Sequence, residues 1–160
     1  MNAEMIFFPE AYHPEKTLIH VRNKIEINAS KENIWNWLTN APTWPEWYAN
    51  SANVQILEQS EQHLKAGTRF NWRTFNTNIQ SEVREFKPYH RIAWTAKGTG
   101  LLAYHAWLIT PSDQGYTVIT EETQQGWLPW LGKRFIQKSL YNQHQRWLEG
   151  LKEKAESMHS

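Results

Sequence analysis

The stretch IEINASKENIWNWLTNAPTWPEW, residues 25–47, decides the fold. It begins inside IHVRNKIEIN, residues 19–28, where Ile19, Val21, Ile25 and Ile27 share one parity and His20, Arg22, Lys24 and Glu26 take the other. Period two predicts a strand with one wet face. Ser30 then offers a hydroxyl to the free N–H groups of a helix start, with Asn33 three residues on, so KENIWNWL is predicted helical. Asn40-Ala41-Pro42 ends that helix. Thr43, with Pro45 close behind, starts a second short one through Glu46, Trp47 and Tyr48.

Downstream the chain reads as a run of strands. Val54 and Ile56 alternate; after Gly67, Phe70 and Trp72 face opposite Arg69, Asn71 and Arg73. Ile79, Ser81 and Val83 alternate with Gln80, Glu82 and Arg84, and Pro88-Tyr89-His90 marks a turn before Ile92, Trp94 and Ala96. LLAYHAWLIT, residues 101–110, is apolar on both parities, which suits a central strand with both faces covered at least in part. Residues 111–115 read as a hairpin loop and GYTVITEET as the last strand. From Pro129 onward, Phe135, Ile136, Ser139, Leu140, Gln143, Trp147, Gly150, Leu151 and Ala155 fall at steps of three and four, a long amphipathic helix. Strand, two short helices, about six antiparallel strands and one long helix make an α+β fold. Residues 1–18, with Pro9 and Pro14, read as an N-terminal extension and residues 19–157 as one domain.

Composition narrows the function. Lys and Arg number 17 against 16 Asp and Glu, a net charge of +1 over 160 residues, so no nucleic-acid partner is expected. The absence of cysteine excludes a disulfide framework, a thiolate nucleophile and a Cys-ligated metal. No run of about 18 apolar residues exists, so no stable membrane insertion is expected. The N-terminus lacks the basic start and apolar stretch of a signal peptide, and a cytoplasmic location is the expectation. Ten Trp, 6 Tyr and 6 Phe point to an aromatic core or an aromatic-lined cavity, and composition leaves both open.

Catalytic signatures are sparse. The histidines show no metal spacing, so neither a metal nor a cofactor is expected, and His144 is expected to face solvent. There is no GxSxG motif and no phosphate-binding glycine loop; KGTGLL, residues 97–102, reads as a hairpin. GWLPWL, residues 126–131, could serve as a lid, a dimer contact or a weak membrane-touching patch. Packing against Trp44 and Trp47, or gating, is the favoured reading, with Lys133, Arg134 and Lys138 on a solvated helix face.

The opening stretch resembles the polyketide cyclase/dehydrase group of the START-like (SRPBCC) superfamily. In that group a strand ending in a small residue leads into a helix with a Val/Ile-Trp pair, here Ile34-Trp35. A Trp-Pro-x-Trp segment follows, here Trp44-Pro45-Glu46-Trp47. FKPYHRIAW, residues 86–94, and HAWLITPSDQGYTVITEETQQG, residues 105–126, resemble a later run of the same group, and the long last helix completes the likeness over residues 19–156. The resemblance implies a helix-grip fold, a bent antiparallel sheet around the C-terminal helix with a hydrophobic ligand cavity between them. It implies no particular reaction, because members range from aromatase/cyclases to lipid carriers and co-chaperones.

Strand parity places Phe70, Trp72, Ile79, Val83, Ile92 and Trp94 on the concave face. The resemblance adds His105, Trp107 and Ile109, then Val118, Thr120 and Glu122; the residues alone leave those two strands open, since Tyr104, Ala106 and Leu108 are as apolar. The helix would add Phe135, Ile136, Ser139, Leu140, Gln143 and Trp147. This set is the expected binding site for a small hydrophobic or aromatic molecule, lipid-like or polyketide-like. Trp72, Trp94 and Trp107 would give apolar contact, and His105, Glu122 and Thr120 would orient the polar end. His105 and Glu122 are also candidates for acid–base work in an aromatase/cyclase or dehydratase-type enzyme, or equally a hydrogen-bonded pair kept for stability. A co-chaperone-like interaction module using the outer sheet face is a further alternative.

Overall fold

The computed structural model describes residues 5–58 and 60–157. The period-two segment forms β1 (Ile19–Ile27), which buries Ile19, Val21 and Ile27 and leaves His20, Arg22, Lys24 and Glu26 in water. Asn23 is buried as well. Its side-chain amide donates to the Tyr141 carbonyl and to Gln145 Oε1, each at 3.1 Å, tying this strand to the last helix. Ser30 Oγ accepts the Asn33 N–H at 3.2 Å and caps α1 (Lys31–Thr39), whose inner face is Ile34, Trp35 and Leu38. A single 3-10 turn, Ala41–Thr43, passes into α2 (Trp44–Trp47).

Six strands follow: β2 (Ser51–Ile56), β3 (Arg69–Thr74), β4 (Thr77–Lys87), β5 (Arg91–Gly98), β6 (Leu101–Ser112) and β7 (Gly115–Gln125). They form one antiparallel sheet with β1, in the order β1-β7-β6-β5-β4-β3-β2. Register shifts in β2 and β4 insert extra residues, which bend a strand and deepen the curl. The curved sheet holds α3 (Trp127–Ser157). This is the helix-grip arrangement that the sequence and its resemblance lead one to expect. One boundary differs: pairing of β6 with β7 continues to Ser112 opposite Gly115, so the loop is only Asp113-Gln114. Pro111 is tolerated inside the strand because β5 ends its pairing at Leu108, and nothing on that side needs the missing N–H.

The two apolar parities of β6 serve two cores. Ala103, Trp107 and Ile109 face α3 with Val118, while Tyr104, Ala106 and Leu108 face outward with Ala93 and Ile119. The outer cluster is roofed by the N-terminal extension, through Ile6, Phe8 and Tyr12. Thr123 Oγ1 donates to the Tyr12 carbonyl at 2.8 Å and Gln125 Nε2 to the Ala11 carbonyl at 3.1 Å, so these residues are strapped to β7.

Inside, Trp147 of α3 sits at the centre of an aromatic cluster. Its ring stacks on Tyr48 at 4.5 Å and meets Trp44 at 4.9 Å and Trp107 at 5.1 Å. Gly150, one turn on, lets the helix close on α2: a Cβ there would lie 2.6 Å from the Trp47 carbonyl oxygen. Removing the indole leaves a void the surrounding rings cannot fill. Trp147→Ala is therefore expected to lower the unfolding free energy by about 3–5 kcal/mol, and Trp147→Phe by less than half of that, in urea titrations.

Candidate functional site

A cavity of about 690 Å³ lies between α3 and the strands β3 to β7. Of the residues expected in the site, Trp72, Ile79, Trp94, His105, Glu122, Phe135, Ile136, Ser139, Leu140 and Trp147 line it. Phe70, Val83, Ile92, Trp107, Ile109 and Val118 do not reach its wall; they belong to the solid core that Ile34, Leu38 and Trp44 complete at the closed end. Thr120 stands behind His105. Gln143 lies on a different flank of α3, in a shallow surface hollow with Trp47, Asn50 and Arg146.

His144 is a correction. Expected at the surface, it is 2 % exposed and lines the cavity. One residue is 100° on a helix, so Gln143 and His144 exchange the roles expected of them. A signal was present: Leu140, His144, Trp147 and Leu151 form an i, i+4, i+7, i+11 stripe, all buried. The GWLPWL segment also sits elsewhere than against Trp44 and Trp47. Trp127 lies over Gly100 in the β5–β6 hairpin, where φ is +68° and a Cβ would fall 2.2 Å from the indole, while Trp47 packs near the other end of the helix.

The polar floor of the cavity is built by register. His105 on β6 lies directly opposite Glu122 on β7, with Nδ1 3.3 Å from Oε2. His144 reaches the same oxygen from α3, its Nε2 at 3.0 Å, and the two imidazoles stack at 4.5 Å and 12°. Gln124 Nε2 donates to Glu122 Oε1 at 2.7 Å. Thr120 Oγ1 lies 2.7 Å from His105 Nε2 and 3.2 Å from the Ala106 carbonyl oxygen, and its one proton serves one of the two. His144 Nδ1 is buried without a partner among the described residues.

Burial first, and His144 second, push the His105 imidazole down to about 3, against the opposing pull of Glu122. Burial pushes the Glu122 carboxyl up, but His105, His144 and the Gln124 N–H outweigh it and hold it below its ordinary range. At neutral pH the floor is a carboxylate beside a neutral imidazole. The three donor atoms lie within 4.8 Å of one another, which raises the question of a metal. A metal bonded to an imidazole nitrogen lies in the plane of that ring, and two stacked, near-parallel rings share no in-plane point. As folded, the cluster suits hydrogen bonding.

The lowered His105 value has a sign. Below its ordinary 6.5 the unfolded chain takes a proton that the folded chain refuses, so stability falls as pH falls from about 6.5 towards 3; Glu122 adds to the same trend only below 4.5. In urea titrations from about pH 6 to pH 4, wild type should lose up to about 1.4 kcal/mol per pH unit more than His105→Gln. Equal slopes would mean that this imidazole titrates as it does in water.

Residues 19–156 match the protein family described as polyketide cyclase / dehydrase and lipid transport. No functionally curated protein matches the sequence. Among solved structures, hypothetical protein jhp0584 from Helicobacter pylori is 28 % identical with a TM-score of 0.89, covering 97 % of this chain and 98 % of that one. The di-domain ARO/CYC StfQ from the steffimycin biosynthetic pathway is 17 % identical at a TM-score of 0.74, covering 88 % of this chain and 51 % of its own. A START superfamily protein from Mycobacterium smegmatis is 14 % identical at 0.71, covering 87 % and 98 %. The last two likenesses speak to the fold alone. With the family match running over most of its length, the chain belongs to the polyketide cyclase / dehydrase and lipid transport family.

Proposed function

We propose that the protein binds a small, mostly apolar or aromatic molecule carrying a hydroxyl group, with that group at the His105–Glu122–His144 floor. The observation that carries this reading is a polar cluster at one end of an otherwise largely apolar cavity, with His144 Nδ1 buried there and without a partner among the described residues. A ligand O–H can donate to His144 Nδ1 or to the Glu122 carboxylate. The buried indole N–H groups of Trp94 and Trp147, both lining the cavity, have no partner among the described residues and are available to an oxygen on the ligand. A volume of about 690 Å³ fits a ligand of two to four fused rings or an acyl chain.

A second reading has its own support. At the cavity floor the Glu122 carboxylate and the His105 imidazole, 3.3 Å apart, offer a base to a bound molecule. A dehydratase- or cyclase-type reaction needs such a base. The interaction-module alternative gains nothing comparable, because Ile6, Phe8 and Tyr12 already cover part of the outer sheet face it would use.

The test compares hydroxylated ligands with their methyl ethers, for example 2-naphthol with 2-methoxynaphthalene, within a wider panel of fatty acids, sterols and flavonoids. Melting temperature and tryptophan quenching are the readouts. The hydroxylated member should bind about tenfold more tightly or better, and Glu122→Gln or His105→Gln should shrink that preference to about threefold or less. A flat response across the panel overturns the binding reading. Product formation by wild type that disappears in His105→Gln, with binding retained, would establish the enzyme reading; binding without product from any panel member would count against it.

A further inference from the structure

We propose that the first three turns of α3 are a contact surface for anionic lipid bilayers, placed around the mouth of the cavity. Four large apolar side chains there stand in water: Trp127 is 57 % exposed, Trp130 70 %, Leu131 66 % and Phe135 80 %. Trp127, Trp130 and Leu131 stand before Gly132, and after it Phe135, Arg134 and Lys138 share one side of the helix with Lys133 beside them, all exposed. The outward face of this segment is thus aromatic and basic together, whereas an ordinary solvent face is polar and mixed in charge. From Thr123 to Leu148 there is no Asp or Glu at all.

That charge pattern selects the occupant. An apolar patch on another protein would match the indoles but leave the cations unpaired. An anionic bilayer takes both: Trp and Phe settle at the headgroup boundary, and Arg and Lys lay their stems along the apolar zone with their charges on phosphate. The contact would be peripheral, since among the described residues no helix is long and apolar enough to cross a membrane.

Position adds to composition. Leu131 and Phe135 line the cavity as well as the outer face, with Leu128 and Ile136 next to them, so the patch and the opening are continuous. Backbone geometry leaves the helical region at Gly132 (φ −122°, ψ 25°), which separates the turn bearing Trp127, Trp130 and Leu131 from the body of α3. An apolar ligand would pass from the bilayer into the cavity without crossing water. The surface goes beyond the cavity reading and can be tested with the cavity empty, so either can fail alone.

The experiment is flotation of the full chain with phosphatidylcholine vesicles and with vesicles containing about a third phosphatidylserine, no other ligand present. Wild type should float with the anionic vesicles and far less with the neutral ones, with a blue shift of indole emission and release at high salt. Trp130→Ser, at an exposed position off the cavity wall, and the triple variant K133E/R134E/K138E should each cut the bound fraction about tenfold while leaving the melting temperature nearly unchanged. Three results would overturn the proposal: no flotation with anionic vesicles, flotation that both variants leave intact, or a wild-type dimer that Trp130→Ser dissolves, which would assign the patch to a second copy of the chain.

Discussion

The insertion of Trp147 into the concave side of the sheet is the constraint on which the rest depends. An indole that meets Trp44, Tyr48, Trp72, Trp94, His105 and Trp107 sets how deeply the C-terminal helix can sit. On one side of it Gly150 lets the helix touch α2, and on the other the side chains shorten and polar groups appear. The helix is seated tightly at one end and stands away from the sheet at the other. The cavity is the space left by that asymmetry, and the aromatic richness of the chain is divided between filling the closed end and lining the open one.

Placing a carboxylate and two imidazoles beside this core is costly. A buried charge needs partners, and an apolar replacement of equal volume would as a rule stabilise the protein more. The cluster has some of its partners, from Thr120, Gln124 and the facing strand, yet keeps one ring nitrogen, His144 Nδ1, unserved among the described residues. A protein selected for stability alone would have closed that gap. An incomplete hydrogen-bond network at the floor of an apolar cavity is better understood as half of a recognition site, completed when a molecule enters.

Much of this architecture was legible in residue order. Alternation in β1, the Ser30 cap, the Trp-Pro-Glu-Trp turn and the long last helix each follow from local chemistry and each appears where expected. The facing of β6 was not, because alternation carries no information when both parities are apolar. It is decided by two covers, α3 on one side and Ile6, Phe8 and Tyr12 on the other, and the second cover comes from residues far away in the chain. His105 and Glu122 could be paired from adjacent strands, but the third member stands on the helix, and a histidine within an apolar stripe reads as a break in that stripe. The cavity wall was legible only in part for a similar reason. Inward parity tells which way a side chain points, not whether it meets another side chain or empty space.

The strap formed by the N-terminal residues bears on how the chain is made. Residues 5–18 rest on β5, β6 and β7, and β1 pairs only with β7, so the first segments synthesised find their partners among the last strands. Hairpins such as β3–β4 and β5–β6 can close as they leave the ribosome, while β1 and the segment bearing Ile6, Phe7 and Phe8 must wait. Completion of the sheet by β1 is therefore a late event that spans nearly the whole domain, and until then the apolar segment bearing Ile6 and Phe8 lacks its cover.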